Sequence, residues 1–222
     1  MILKYNLDKL SNWCIGLLLL AMCLELALNI HSEFYLKLVE AFQDPEINID
    51  ISDEFIDLFD LAGVILGVGF LVIIITSAVL NLIWIYRSSF NAGILQPSEE
   101  RVSPKWAVIW NFIPLLSLWK PYVAIKQTWN STFNVNGDIT RGLPMLFWFW
   151  WAAWVLNNIL SNISFRISLA EDFDITRDIV IFDWIIFATT VPAYIIFIMI
   201  IHRITTKQVE IQNDLQVSGD VQ

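Results

Sequence analysis

The chain has 222 residues, of which 57% are hydrophobic and 16% charged, against roughly 45–50% and about 25% in ordinary globular domains. Intrinsic disorder, a collagen-like fibre and a disulfide scaffold are excluded, and the apolar excess, with 11 Trp and 15 Phe, asks for a bilayer as solvent. The net charge of −9 excludes nucleic acid as a partner, because phosphate binding needs clustered cations.

Four stretches are apolar enough to cross a hydrocarbon core of about 30 Å, which takes roughly 20 helical residues. The first runs from about Trp13 to Ile30 and carries Cys14, Cys23 and one charge, Glu25. Nine residues separate the cysteines, which sets them on roughly opposite faces of a helix, so a disulfide is not expected. Lys4 and Lys9 precede this run and Ala27 lies near its end, so a cleaved signal peptide is the alternative reading. After it, His31 to Phe59 is helical in pattern through Phe42, breaks at Asp44 and Pro45, and then alternates Ile47, Ile49 and Ile51 with polar residues, as a short extended segment would.

The second span, Leu61 to Tyr86, has no charge. Gly63, Gly67 and Gly69 near its start point to close helix contact. Ser77, Asn81 and Ser88 form a polar stripe that turns the helix toward protein. A third span, 143–160, is also uncharged, and a fourth, 179–201, holds only Asp183 and is kinked at Pro192. The tail from 207 to 222 is polar and is expected to fray.

Between the second and third spans, Trp106 to Trp119 is a run of fourteen uncharged residues, about 21 Å of helix and too short to span. Pro114 interrupts it and Pro121 follows, which predicts two short helices with a bend, re-entrant or interfacial. Charge then sets the topology, since cytoplasmic loops accumulate Lys and Arg. With four spans, both termini inside and the bent element kept on the cytoplasmic side, ten of the thirteen cations are inside, and only Lys37, Arg166 and Arg177 are outside. Were the bent element to cross, Lys120, Lys126 and Arg141 would move outside. The expected fold is therefore an all-α integral membrane four-helix bundle with an additional bent re-entrant or interfacial element over 104–131, in one multi-pass domain of a bacterial inner membrane.

The bent element carries the densest motif. Tyr86, Arg87 and Asn91 are followed by Ser103, Pro104, Trp106, Ala107, Trp110, Pro114, Leu118, Trp119, Lys120, Pro121, Tyr122 and Trp129, and Trp150 and Trp151 come in the next span. This pattern resembles the bacterial membrane-protein family known as domain of unknown function 4328, over about Trp84 to Phe165. The resemblance implies membrane location and no activity. From the residues themselves, Ser103 and Pro104 form a helix start. Trp106 and Trp110 share a face, Trp119, Tyr122 and Trp129 extend an aromatic belt, and Lys105, Lys120 and Lys126 reach toward anionic headgroups. The element reads either as a surface staple or as a lipid or partner site in which Trp106, Trp110, Asn111, Pro114, Trp119, Lys120, Pro121, Tyr122 and Trp129 take part, with Asn111 and backbone groups freed at Pro114 as polar contacts.

Acids within spans are functional by default because burying one unpaired is costly. Glu25, Asp60 and Asp183 fall toward one membrane side, with Asn157 and Asn158 nearby, and form a candidate cation or proton path. Alternatively Asp60 and Asp183 cap helix starts while Glu25 pairs with Asn29 or stays protonated. Enzymatic signatures are absent: His31 and His202 fall on opposite sides, and no phosphate loop or nucleophile elbow occurs. No catalytic residue, cofactor or metal site is expected. The acids Asp44, Glu46, Asp50, Asp53, Glu54 and Asp57 lack the glycine pattern of a calcium loop. The leading reading is a non-enzymatic membrane component whose partners are membrane lipids, another membrane protein or a second copy. A small transporter or channel is the alternative, and a lipid-modifying enzyme stands third.

Overall fold

Long apolar runs become helices because a backbone removed from water must satisfy its own amides and carbonyls. The computed structural model describes residues 3–44, 51–134, 137–139, 142, 144–169 and 177–219, and among these every regular element is helical. In chain order they are α1 (Asp8–Gln43), α2 (Asp53–Leu95), α3 (Pro104–Ile109), α4 (Lys120–Phe133), α5 (Met145–Ser168) and α6 (Arg177–Gly219).

Each boundary has a local cause. At the start of α1, Asn6 Oδ1 accepts the free amide of Asp8 at 2.9 Å. Its end falls at Gln43, where Asp44 turns extended, as a residue ahead of proline prefers. Ser52 Oγ caps α2 by accepting the Phe55 amide at 3.3 Å, and Asp53 and Glu54 favour the positive end of the helix dipole. Asp60 therefore lies two turns inside α2, and Asp183 lies well inside α6. Neither acid caps a helix start, which corrects that alternative. Pro104 opens α3, but the Ser103 hydroxyl makes no capping bond; its carbonyl accepts the Ala107 amide instead.

Three helices, α1, α2 and α6, are long and apolar enough to cross a membrane. The most apolar stretch of α2 has no buried residue at all, and Val64, Ile65 and Val68 are more than half exposed. Such a face is compatible with an apolar medium around it. The stretch expected as a third span lies in α5, whose 24 residues are long enough, but Trp148, Trp150, Trp151, Trp154, Asn157, Asn158 and Asn162 leave it less apolar than the other three. Helix α6 continues to Gly219, so the tail expected to fray from 207 is helical in its described part. The reason is packing: Gln208 is 1% exposed and takes several hydrogen bonds. The extended segment expected over Ile47 and Ile49 lies outside the described residues.

Contacts fix the directions of the long helices. Tyr5, just before α1, meets Asn91 near the end of α2. His31, further along α1, meets Phe59 near the start of α2. Glu40 of α1 pairs with Arg177 at the start of α6, Asp183 of α6 meets Ser164 near the end of α5, and Phe147 at the start of α5 packs on Trp129 of α4. Thus α1 runs antiparallel to α2 and to α6, and α5 antiparallel to α6. The molecule has an Asn91 end and an Asp183 end. The hydrophobic core, with Cys14, Leu18, Trp84, Ala107, Ala124, Trp150 and Ile201, lies toward the former.

Close contact between α1 and α2 rests on one glycine. A Cβ on Gly63 would lie 2.6 Å from His31 Cε1, whereas Gly67 and Gly69 have nothing within 4 Å. The His31 ring stacks on Phe59 with centroids 4.1 Å apart, and its Nε2 is 3.0 Å from the Phe59 carbonyl.

Candidate functional site

Between α3 and α4 the chain does not continue as one helix. Single 3₁₀ turns at Trp110–Phe112 and Leu116–Leu118 flank Ile113, Pro114 and Leu115. Proline cannot donate, which frees a carbonyl three or four residues back, while two carbonyls at the break itself are taken locally: Ser117 donates its amide to Ile113 O at 2.8 Å and its hydroxyl to Pro114 O at 2.8 Å. Pro114 itself is exposed and is not among the residues lining the cavity beside it.

The segment instead covers a partly enclosed cavity of about 320 Å³, at the low end of the roughly 300–1,000 Å³ of small-molecule sites. Asn111, Phe112 and Pro121 form one wall, Trp150, Trp151 and Trp154 of α5 another, and Tyr194 and Phe197 of α6 a third. Aromatic packing fixes these walls: Trp150 stacks on Phe197 at 5.4 Å, Trp151 on Trp154 at 4.9 Å, and Tyr122 lies 5.9 Å from Trp151. Ser77 and Asn81, the polar stripe of α2, supply the few polar groups, with Asn81 Nδ2 donating to Ser77 O at 2.9 Å. Asn111 Nδ2 donates to Ala107 O and Val108 O, which leaves its carbonyl oxygen uncommitted.

At the cavity's rim, Trp106 and Trp110 are 6.3 Å apart and Lys120 Nζ stands 4.7 Å from the centre of the Trp110 ring. Trp106 and Trp119 are exposed. Trp129 departs from the expected belt: it turns inward onto Phe133 and Phe147, at 4.2 and 4.8 Å, because α5 starts beside it.

Sequence reading missed a buried polar network at the Asn91 end. Asn91, 0% exposed, donates to Tyr5 O at 2.7 Å and accepts the Tyr5 amide at 3.1 Å. It thereby serves an extended backbone as a neighbouring strand would. Asn91 Nδ2 also donates to Gln208 Oε1, and Gln208 Nε2 donates to Ser88 O and Thr132 Oγ1. Trp84 Nε1 donates to Thr205 Oγ1 at 3.0 Å. The loop into α3 is tied to α4 by Gln127, which accepts the Val102 amide at 2.8 Å, and by Arg101, which donates to Ser131 Oγ at 2.8 Å and Ser89 O at 3.0 Å. Burial pulls the Arg101 guanidinium down to about 10, so it is still cationic near neutral pH. Of these residues only Asn91 and Ser88 stood out in the sequence. Gln127 and Gln208 look like ordinary surface glutamines there.

The three acids expected as a path separate. Asp60 is exposed. Glu25 and Asp183 line one small cavity between α1 and α6, together with Leu28, Asn29, Ser32 and Ile186. The Glu25 side chain does not pair with Asn29: Glu25 Oε1 accepts Thr190 Oγ1 at 3.0 Å, and Thr190 Oγ1 accepts Asn157 Nδ2 at 2.6 Å. Asn158 spends its amide on Trp154 O of its own helix. Among the described residues no group of three or more His, Cys, Asp and Glu converges.

Fold and site together define an all-α protein with three helices able to span a membrane and an aromatic cavity beneath a proline-broken segment. The chain belongs to the family named Domain of unknown function (DUF4328), whose profile matches residues 48–206. That stretch takes in α2, the broken segment, α4, α5 and most of α6. Comparison with curated proteins and with solved structures finds no match.

Proposed function

We propose that this is a non-enzymatic, multi-pass protein of the bacterial inner membrane that holds a phospholipid at the broken segment, one acyl chain in the aromatic cavity and the headgroup beside Lys120. In this reading α1, α2, α5 and α6 all cross, both termini are cytoplasmic, and the segment 104–131 enters and leaves from the cytoplasmic leaflet. The cavity carries the proposal. Its walls are mainly apolar and aromatic, as a hydrocarbon chain requires, and its few polar groups sit toward Asn81 and Asn111. Lys120 above Trp110 adds a cation and an amphipathic ring where a headgroup would lie. The distribution of Lys and Arg favours the same threading.

Native mass spectrometry of the full chain released from micelles tests this. The wild type is expected to retain one phospholipid, anionic in preference to zwitterionic. Ala78→Trp, which fills the cavity mouth from an exposed position on α2, is expected to lose it without lowering the unfolding temperature. Equal retention by the variant, or no retention by the wild type, would remove the proposal.

A further inference from the structure

We infer that the small cavity between α1 and α6 at the Asp183 end is a binding site for a hard divalent cation, with Glu25, Asp183 and Asn29 as its oxygen ligands. The cavity holds about 170 Å³ and is separate from the aromatic one, with no lining residue in common. This site does not depend on the lipid reading.

Three observations converge. Two carboxylates from different helices face one cavity, and neither forms an ion pair among the described residues. The nearest cation by position on α6, Arg177, is already held by both oxygens of Glu40 at 2.8 and 2.9 Å. Each carboxylate is also half committed: Thr190 holds Glu25 Oε1 and Ser164 holds Asp183 Oδ1 at 3.3 Å, which orients the acids and leaves Oε2 and Oδ2 without a hydrogen bond among the described residues.

The observation that points to a ligand is Asn29. This residue is 6% exposed and lines the same cavity, yet its Oδ1 is buried with no hydrogen-bond partner. Flipping the amide does not help, because Nδ2 donates to Glu25 O at 2.9 Å and Oδ1 in its place would face another oxygen. An orphaned buried carbonyl oxygen costs about 1–3 kcal/mol, and a cation repays that cost where a donor is missing. Two carboxylates and a neutral amide oxygen, with Ser32 alongside, match the oxygen-only preference of calcium or magnesium, with waters completing the shell. With both carboxylates deprotonated, as metal ligands are, the summed charge of −2 matches a divalent ion. Neither sulfur nor imidazole is present, which disfavours zinc and other softer metals.

Thermal unfolding of the full chain in micelles supplies the test. Calcium or magnesium chloride at 5 mM, compared with choline chloride at equal ionic strength, is expected to raise the unfolding temperature by about 5 °C, as a ligand near a hundredfold its Kd would. Asn29→Leu fills the same volume and removes the orphan oxygen. It is expected to fold, to unfold within a few degrees of wild type in choline chloride, and to lose the divalent shift. Asp183→Asn is expected to lose it too. An unfolding temperature indifferent to divalent ions would overturn the site, as would a divalent shift that persists in both variants. Lipid retention in the mass spectra is expected to be unchanged in Asn29→Leu, so failure here and failure of the lipid reading are distinguishable.

Discussion

The two ends of the molecule arrange their polar groups differently, although Gln96 Oε1 and Arg101 Nε at the Asn91 end are, like Asn29 Oδ1 at the other, buried without a hydrogen-bond partner. At the Asn91 end, Asn91, Gln208 and Thr132 are buried and answer one another across the N-terminal segment, α2, α4 and α6, while buried Gln127 holds Val102 and Glu100 of the loop into α3. At the Asp183 end, Asn157, Thr190 and Glu25 form a single line of bonds, the carboxylates are half free, and Asn29 keeps an unmatched oxygen. A connected buried polar network fixes a structure, whereas half-free carboxylates beside a cavity leave room for a ligand. The first end is thus where packing is specified, and the second is where a small ligand has room.

The sharpest way to break this comparison is to replace an asparagine at each end by the isosteric leucine. Asn91→Leu strands the amide and carbonyl of Tyr5 and the Oε1 of Gln208 in a buried place. Two or three unsatisfied groups at about 1–3 kcal/mol each predict a loss of about 4 kcal/mol, enough to abolish a folded micellar species in size-exclusion chromatography. Asn157→Leu strands little, because Thr189 keeps its bond to Ile186 O and Thr190 its bond to Glu25 Oε1. A loss of about 1 kcal/mol is expected, visible as a shift of a few degrees in unfolding temperature. Equal losses at the two positions would show that the ends do not differ as described.

A second probe acts on packing between α1 and α2. Gly63→Leu drives a side chain into the His31 ring, which cannot retreat without leaving Phe59. Overpacking of this kind costs about 1–3 kcal/mol. Gly67→Leu, with open space around it, is expected to unfold within a degree or two of wild type. Urea or thermal denaturation of the pair separates a contact glycine from one that only shares its spacing.

The helices were legible in the sequence because apolar runs longer than a bilayer leave the backbone no other choice. The end of α1 at Gln43 was legible too, from the helical pattern through Phe42 and the break at Asp44, but that of α6 was not, since hydropathy stops at the apolar boundary while α6 continues on polar packing that no window detects. Trp150, Trp151, Tyr122 and Asn111 were visible as unusual residues, but their meeting around one cavity needs the break at Pro114, whose angle a sequence does not state. Gln208 was illegible for a different reason. A polar residue in a polar tail looks solvated until a partner such as Asn91 is brought to it from 117 positions away. Glu25 and Asp183 were visible as charges among apolar neighbours. In the sequence Asn29 reads only as a partner for Glu25, because orphanhood is a property of surroundings.

The finest test concerns the rim of the aromatic cavity. Lys120 makes no salt bridge among the described residues, and its one recorded polar interaction is with the Trp110 face at 4.7 Å. A contact of this kind at a partly exposed place is worth about 0.5–1 kcal/mol. Lys120→Gln is therefore expected to lower the unfolding temperature by no more than a few degrees. If Lys120 meets a headgroup, the same variant also loses its preference for anionic over zwitterionic phospholipid while retaining one lipid, because the acyl chain is held by Trp150, Trp151 and Phe197 and not by charge. If Lys120 only braces Trp110, the small stability change appears and the lipid preference stays. Those two results divide a lipid-reading rim from a structural one, and they do so at a residue whose loss leaves both ends of the molecule intact.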